Sequence, residues 1–230
     1  MMEHPVMLLV WILEKIGLGH FAHQYYYLVY TWFFMLVLIA VARLAASRLT
    51  LVPSRLQNVA EAILEAIGSF QESIMGPHGR PLFPFMATLI MFVFVCNFNG
   101  LIPGSSSPTA NLNTTLALAL SIFLTTHVLG VKTHGLRYVK HFVGPVPFLA
   151  PLMIPLEIVS HLARVLSLSL RLFGNIMGED LVIAVLFMLG GAFFLPLPMM
   201  FLGLFTGFLQ AFVMTILAMM YIGEAIEHAH

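Results

Sequence analysis

Residues 157–181 read EIVSHLARVLSLSLRLFGNIMGEDL, an apolar stretch interrupted by seven ionisable or strongly polar side chains. A charge at the centre of a bilayer costs roughly 2.5–3.5 kcal/mol on insertion scales. Because this segment carries several such groups, we expect them to serve a function. The side chains concerned are Glu157, His161, Arg164, Arg171, Asn175, Glu179 and Asp180.

Helical geometry separates these groups into two faces. At about 100° per residue, Glu157, Arg164 and Arg171 stay within about 40° of one stripe, and Asn175 lies one turn beyond. Asp180 is turned by about 180° from Arg171 and lies about 13.5 Å further along the axis. One helix is therefore predicted to present a guanidinium to one neighbour and a carboxylate to another, which would keep two proton pathways apart.

The composition indicates an integral membrane protein. The 230 residues are 60% hydrophobic and 9% charged, against about 45–50% and about 25% in soluble domains. The formal net charge is zero, which argues against nucleic acid as a partner. No cofactor or metal is expected, since His4, His20 and His23 lack ligand spacing, and the single Cys96 can form no internal disulfide.

Uncharged runs predict an all-α membrane domain over residues 1–230 with about five transmembrane helices. In its last part, residues 158–189 contain no proline and would extend about 48 Å, beyond a bilayer core of about 30 Å. This helix and the one after it must therefore tilt strongly. The predicted segments are an outer segment at 1–24, a first span at 25–42, an amphipathic helix at 54–75, two spans within 81–131 and a tilted hairpin at 146–228.

The amphipathic helix has a predicted start and an acidic polar face. Ser54 and Gln57 have the spacing of a capping box. Glu61, Glu65 and Glu72 form the polar face, which suits water or a basic protein better than anionic lipid. The expected apolar stripe consists of Leu56, Val59, Ala60, Ile63, Ile67, Phe70 and Ile74.

Basic residues predict the orientation of the chain. Seven of them fall on one side of a five-span arrangement, while the turns at 103–110 and 190–198 carry no charge. Because Lys and Arg accumulate on the cytoplasmic side, the N-terminus is predicted outside and the C-terminus inside. The seven are Arg43, Arg48, Arg55, Arg80, Lys132, Arg137 and Lys140.

Asparagines lie at one end of the second and third predicted spans. Asn97 and Asn99 end the second span, and Asn111 and Asn113 begin the third. Such amides commonly bond neighbouring backbone or helices. They could instead line a wet vestibule, and the sequence leaves both readings open.

Several motifs together resemble subunit a of the rotary F-type ATP synthase, in its bacterial and chloroplast form. RLFGNI at 171–176 follows SLSL and precedes GEDL; the others are PTANLNTT (108–115), LQAF (209–212) and MYIGEAIEHAH (220–230). The resemblance runs from about residue 25 to the end. It implies a proton-translocating stator subunit that binds no nucleotide itself, in a bacterial plasma membrane since no transit segment is seen.

The resemblance also implies roles for individual residues. Arg171 would face the ring of c subunits, discharge each rotor carboxyl and block proton leak. The acidic residue nine beyond the family's arginine falls on Asp180, with Glu179 beside it. The family's glutamine falls on Gln210, and the acidic residue fourteen before the arginine falls on Glu157.

Two offset half-channels follow from these roles. Some relatives carry a titratable residue where this chain has Gly203, so the outer half-channel would depend on Glu179, Asp180, Asn175, Gln210 and the Asn97–Asn113 group. The inner one would be bordered by Glu157, Ser160, His161 and Ser167. Further implied partners are peripheral-stalk b subunits, through the 54–75 helix, and indirectly the catalytic ATPase sector.

Other interpretations remain open from the sequence. The subunit could carry sodium instead of protons, or the chain could be a free-standing carrier, although no internal repeat supports a carrier. An intramembrane enzyme would need a catalytic motif that the sequence lacks. Finally, intramembrane charges often pair, so Glu157 could bond Arg164 and have no role in transport.

Overall fold

The structure is a computed structural model, and it describes residues 8–15, 17, 19–46, 55–102, 105–135, 150–190 and 194–227. Every regular element in these ranges is helical, which confirms the predicted all-α fold. The α-helices are α1 (Leu8–Lys15), α2 (Gly19–Gln24), α3 (Tyr26–Ala46), α4 (Arg55–Met75), α5 (Phe83–Asn99), α6 (Leu112–His134), α7 (Ala150–Gly190) and α8 (Leu197–Glu227). Short 3-10 helices occupy Pro77–Leu82 and Pro108–Ala110.

Five helical segments in the described chain are long and apolar enough to cross a membrane, as predicted. The protein is therefore a multi-pass membrane protein. The five segments are Tyr26–Ala46, Gly79–Asn99, Leu112–His134, Pro151–Leu189 and Leu197–Ile226.

A hydrophobic core forms where α5, α6, α7 and α8 meet. Met86, Ile122, Leu172 and Met214 contribute one side chain from each helix, and all four are fully or almost fully buried. The outward faces of the same helices remain rich in exposed Leu, Val and Phe. Soluble proteins place mainly polar residues on such outward faces. The apolar outward faces of this bundle are therefore suited to contact with lipid.

Helix α6 begins and ends at recognisable signals. The side chain of Asn111 accepts a hydrogen bond of 2.9 Å from the backbone N–H of Asn113, so it caps the helix. Gly135 follows the last residue with φ of 57°, a left-handed conformation that glycine adopts without steric cost.

Helix α4 has the predicted amphipathic character, and its second half packs against the bundle. Ile67 and Gln71 are buried, whereas Val59 is 61% exposed and Ile63 41% exposed. Within the described part of the chain, Val59 and Ile63 in the first half of the apolar stripe are therefore left uncovered. The proposed cap residue Ser54 lies outside the described residues.

Helix α7 begins earlier than the sequence predicts. The prediction started it after Pro155, but the structure starts it at Ala150 and keeps Pro155 inside the helix. Pro151 is the second helical residue, where proline is tolerated because no N–H bond is needed there. Pro155 lacks the N–H of one backbone hydrogen bond. It is exposed, so the helix continues through it without a buried unpaired group.

The two C-terminal helices are longer than a bilayer is thick. Helix α7 has 41 residues and α8 has 31, which correspond to about 60 Å and about 45 Å at 1.5 Å per residue. A core of about 30 Å can hold such helices only if they tilt or bend strongly. Residues 191–193, within the predicted turn between them, lie outside the described residues.

Candidate functional site

Arg171 lies midway along α7 and points away from the bundle. Its neighbours Leu168 and Leu172 are buried in the core, whereas Arg171 is exposed. One guanidinium nitrogen donates to Ser167 Oγ at 3.4 Å, a weak contact one turn away. Among the described residues it forms no ion pair. The described part of the chain therefore gives this mid-helix guanidinium no anionic partner.

Asn175 and Gln210 join α7 to α8 one turn beyond Arg171. The Asn175 amide donates to Gln210 Oε1 at 2.9 Å, and Gln210 is only 6% exposed. Two residues far apart in the sequence are thus brought together beside the arginine. The bond fixes the relation between α7 and α8 at this level.

Glu179 occupies a pocket that the absence of a side chain at position 203 creates. Glu179 is 9% exposed, and its carboxyl group accepts a hydrogen bond of 3.0 Å from Thr206 Oγ1. A methyl group added to Gly203 would take the position of the Glu179 carboxyl. The carboxyl of α7 therefore fills the space on α8 where another residue at 203 would place its own side chain.

Asp180 points to a different neighbour. Its Oδ1 lies close to Gly100, just beyond the end of α5, and would be 3.0 Å from a Cβ added there. Asp180 is only partly buried, and no hydrogen bond joins its side chain to the described part of the chain. The two adjacent acids thus have different neighbours, Glu179 on α8 and Asp180 at the end of α5.

At the other end of α7, Glu157 does not pair with Arg164, the pairing that the sequence left open as an alternative to a role in transport. Glu157 Oε1 lies 3.2 Å from His161 Nε2, and Arg164 Nη1 lies 3.4 Å from Glu224 Oε2 on α8. Residues four apart are neighbours on a helix, whereas residues seven apart are about 10 Å apart along its axis. His161 therefore pairs with the Glu157 carboxylate, and Arg164 contacts α8. There the guanidinium carbon of Arg164 lies 5.0 Å from the centroid of the Tyr221 ring.

The first members of the Asn97–Asn113 group follow one of the two readings that the sequence left open: they form hydrogen bonds to neighbouring groups and do not line an open vestibule. Asn97 is 4% exposed, donates to Gly207 O at 3.0 Å and accepts from Thr109 Oγ1 at 2.7 Å. Asn99 is buried and donates to Ser106 O at 2.8 Å. These amides fasten the end of α5 to its surroundings, and only Asn113 is exposed.

Two side chains at these sites were not predicted from the sequence. Thr206, which bonds Glu179, lies three residues after Gly203 and four before Gln210, so the three positions follow one face of α8. This spacing was a usable signal. Glu224, which pairs with Arg164, lies on a different helix, and no periodicity within α7 could have identified it.

Comparison with known proteins decides the family. A family model described as ATP synthase A chain matches residues 28–223, which include Arg171, Glu179 and Gln210. The chain belongs to this family. Membership places it among ATP synthase subunits, not among the carriers and intramembrane enzymes that the sequence had left open.

Relatives in this family match along the full length. The ATP synthase subunit a of Desulfosudis oleivorans is 50% identical over 229 residues, covering 100% of both chains. That of Syntrophobacter fumaroxidans is 51% identical over 240 residues, again covering 100% of both. That of Geobacter sulfurreducens is 50% identical over 201 residues, or 87% of each chain.

Proposed function

We propose that the chain is the proton-translocating stator subunit of the ATP synthase membrane sector, with Arg171 as the charge that faces a rotating ring of c subunits. Membership of the ATP synthase A-chain family supports an ion-translocating role in the membrane sector. The observation that carries the finer proposal is Arg171 itself, an exposed guanidinium in a membrane-crossing helix without an ion-pair partner among the described residues.

An unpaired guanidinium at this position gives a physical means of discharging a passing carboxyl group. A protonated carboxyl can travel through lipid, whereas an ionised one cannot without large cost. At about 4 Å and an effective dielectric near 20, a guanidinium favours the ionised form by about 4 kcal/mol. Arginine also keeps its own proton, so it releases the rotor proton without conducting it.

The outer half-channel is proposed around Glu179, Asp180, Asn175 and Gln210. Glu179 lies two turns beyond Arg171 and next to the Asn175–Gln210 bond. Its bond to a hydroxyl leaves the carboxyl able to exchange a proton, since no cation holds it among the described residues. Asp180, near Gly100, provides a second acid further from Arg171.

The inner half-channel is proposed along the first half of α7. Ser160 and Ser167 are exposed on nearly the same face as Arg171, at about 20° and about 40° from it. Glu157 and His161 form a titratable pair at its far end. A proton released at Arg171 would pass these hydroxyls and reach the pair.

The remaining proposals concern partners and orientation. The uncovered Val59 and Ile63 and the acidic residues Glu61 and Glu65 make α4 a suitable contact for peripheral-stalk b subunits. The catalytic ATPase sector would be reached only indirectly. The membrane is proposed to be the bacterial plasma membrane, with the N-terminus outside and the C-terminus cytoplasmic.

ATP-driven proton pumping by the assembled complex in inverted vesicles tests the proposal. Arg171→Ala is expected to abolish pumping while the complex still assembles. Arg43→Gln, an exposed arginine at the end of α3, serves as the matched control and is expected to pump normally. Pumping by Arg171→Ala at the wild-type rate would contradict the proposed role.

The same vesicles separate proton from sodium transport. Replacing all sodium with choline is expected to leave the wild-type pumping rate unchanged. Loss of pumping in choline, restored by sodium, would show the sodium-carrying version of the subunit instead.

A further inference from the structure

We propose that His127, on α6, belongs to the inner half-channel and shares one mobile proton with His161 on α7. The inference rests on the proposed proton-translocating function and adds to it a titratable residue from a second helix. The supporting observations are ring contact, a fixed tautomer, a water-sized cavity and the charge balance around the two rings.

The two imidazole rings are in contact across the helix interface. Their centroids are 4.8 Å apart and their planes meet at 70°. Phe123 lies against both, with its centroid 4.1 Å from that of His127 and 6.2 Å from that of His161. On its other side, His161 Nε2 lies 3.2 Å from Glu157 Oε1. The pair therefore continues the row of polar groups from α7 to α6.

The tautomer of His127 is set by its backbone contact. Its Nδ1 lies 2.9 Å from the carbonyl oxygen of Phe123, and a carbonyl oxygen only accepts hydrogen bonds. Nδ1 must therefore carry the hydrogen, so Nε2 is the nitrogen that gains or loses a proton. Because the Nδ1 bond persists in both protonation states, the ring can take up and return a proton without turning.

A small cavity adjoins both rings. Its volume is about 20 Å³, and one water molecule needs about 10–15 Å³ measured in the same way. The polar part of its lining consists of Thr126, His127, His161, Arg164 and Tyr221. A proton leaving the His161 ring can thus form a new O–H bond on this water, which releases another proton to His127 Nε2. Each transfer breaks one bond to hydrogen and forms one.

The surrounding charges favour a single extra proton on the pair. Glu157 and Arg164 on α7 and Glu224 on α8 are the charged groups near it in the described chain. Among these described groups, the two carboxylates favour a protonated ring and Arg164 disfavours one. A second imidazolium in contact with the first would face both its repulsion and that of Arg164. The pair is therefore a one-proton store.

The test measures ATP-driven pumping in inverted vesicles while the pH on the cytoplasmic face is varied between about 6 and 8, where histidine titrates. His127→Gln and His161→Gln are each expected to lower pumping about tenfold near neutral pH and to flatten the dependence on cytoplasmic-face pH. This loss is below the roughly 10²–10⁴-fold effect of a committed acid–base group, because the cavity water still carries protons. His20→Gln, an exposed histidine on α2, is the control.

Sharing of one proton makes a further prediction. The double variant His127→Gln/His161→Gln is expected to lose no more activity than either single variant, because both remove the same store. Single-variant losses that multiply in the double variant, or pH profiles parallel to the wild type, would overturn the proposal. If instead Arg171→Ala pumps normally in these vesicles, the proposed function itself fails, so the two failures are distinguishable.

Discussion

Glu179 and Asp180 lie in the second half of α7 and Glu157 lies near its start, but the neighbours of these carboxyl groups differ in charge. Glu179 is bonded by the hydroxyl of Thr206, and no cation pairs with either outer acid among the described residues. At the inner end, Glu157 has His161 and Glu224 has Arg164. Glu179 is thus held by a neutral group, whereas the inner acids are held by bases.

This difference has a consequence for proton transfer. A carboxyl group whose partners are all neutral can bind a proton and release it again. A carboxyl group paired with a base instead passes its proton to that base. Under the proposed function, the outer end is therefore suited to deliver protons one by one toward Arg171, and the inner end to disperse them.

Replacing Glu179 with Gln removes the titratable group and retains the acceptor for Thr206. We expect pumping to fall by about 100-fold, the size of a lost general acid–base group. Asp180→Asn, at the adjacent acid on the other side of the helix, is expected to lower pumping by no more than about tenfold. Equal pumping rates in Glu179→Gln and wild type, with a large loss in Asp180→Asn, would assign the role to Asp180.

Adding a methyl group at Gly203 forces the Glu179 carboxyl out of its pocket. We expect Gly203→Ala to lower pumping by about tenfold, because the displaced carboxyl lies further from Asn175 and Gln210 but still titrates. Gly223→Ala is the matched control on the same helix, since its added Cβ would meet only Met75 Cγ at 3.9 Å. Similar pumping by the two alanine variants would refute the pocket's role.

Thr206→Val keeps the shape of the side chain and removes the hydroxyl that bonds Glu179. The lost hydrogen bond corresponds to about 1 kcal/mol, so pumping is expected to fall about fivefold. Thr125→Val, which removes an exposed hydroxyl bonded only to the backbone of α6, is the control. A Thr206 variant as active as this control would show that the bond does not position the carboxyl.

Breaking the inner ion pair is expected to change least. Arg164 and Glu224 expose 35% and 47% of their side chains, and exposed pairs contribute about 0–1 kcal/mol. A double-mutant cycle with Arg164→Gln and Glu224→Gln, read as thermal stability of the assembled complex, should give a coupling within that range. A coupling of several kcal/mol would show that the pair, not the apolar core, holds α7 on α8.

Much of this fold was predictable because each membrane-crossing helix contains a long, predominantly apolar run. The amphipathic helix, predicted at 54–75, is Arg55–Met75 in the structure, and Gly76 follows its last residue. The start of α7 was missed because proline was taken as a helix stop. Pro155 is exposed in the first turns of the helix, where losing one backbone bond is affordable.

Only those features of the site that depend on a single helix could be predicted from the sequence. Periodicity along α7 predicted that Arg171 and Asp180 point in different directions, and in the structure Arg171 is exposed while Asp180 lies near Gly100. The partners of its charged groups on other helices, Thr206 and Glu224 on α8 and His127 on α6, depend on how the helices pack. Even within α7, sharing a helix face did not identify the partner of Glu157. His161, four residues away, is close enough to pair with it, whereas Arg164, seven residues away, is not.

Passive proton leak through the membrane sector, after removal of the catalytic ATPase, tests most directly the claim that Arg171 separates two half-channels. Wild-type and Arg171→Ala sectors in vesicles would be compared under an imposed potential of about 100 mV, which supplies about 2.3 kcal/mol per proton. The account predicts a clear rise in leak for Arg171→Ala, because protons can then cross directly between the outer acids and the inner histidines. Leak unchanged from the wild type, in a sector that still assembles, would contradict it.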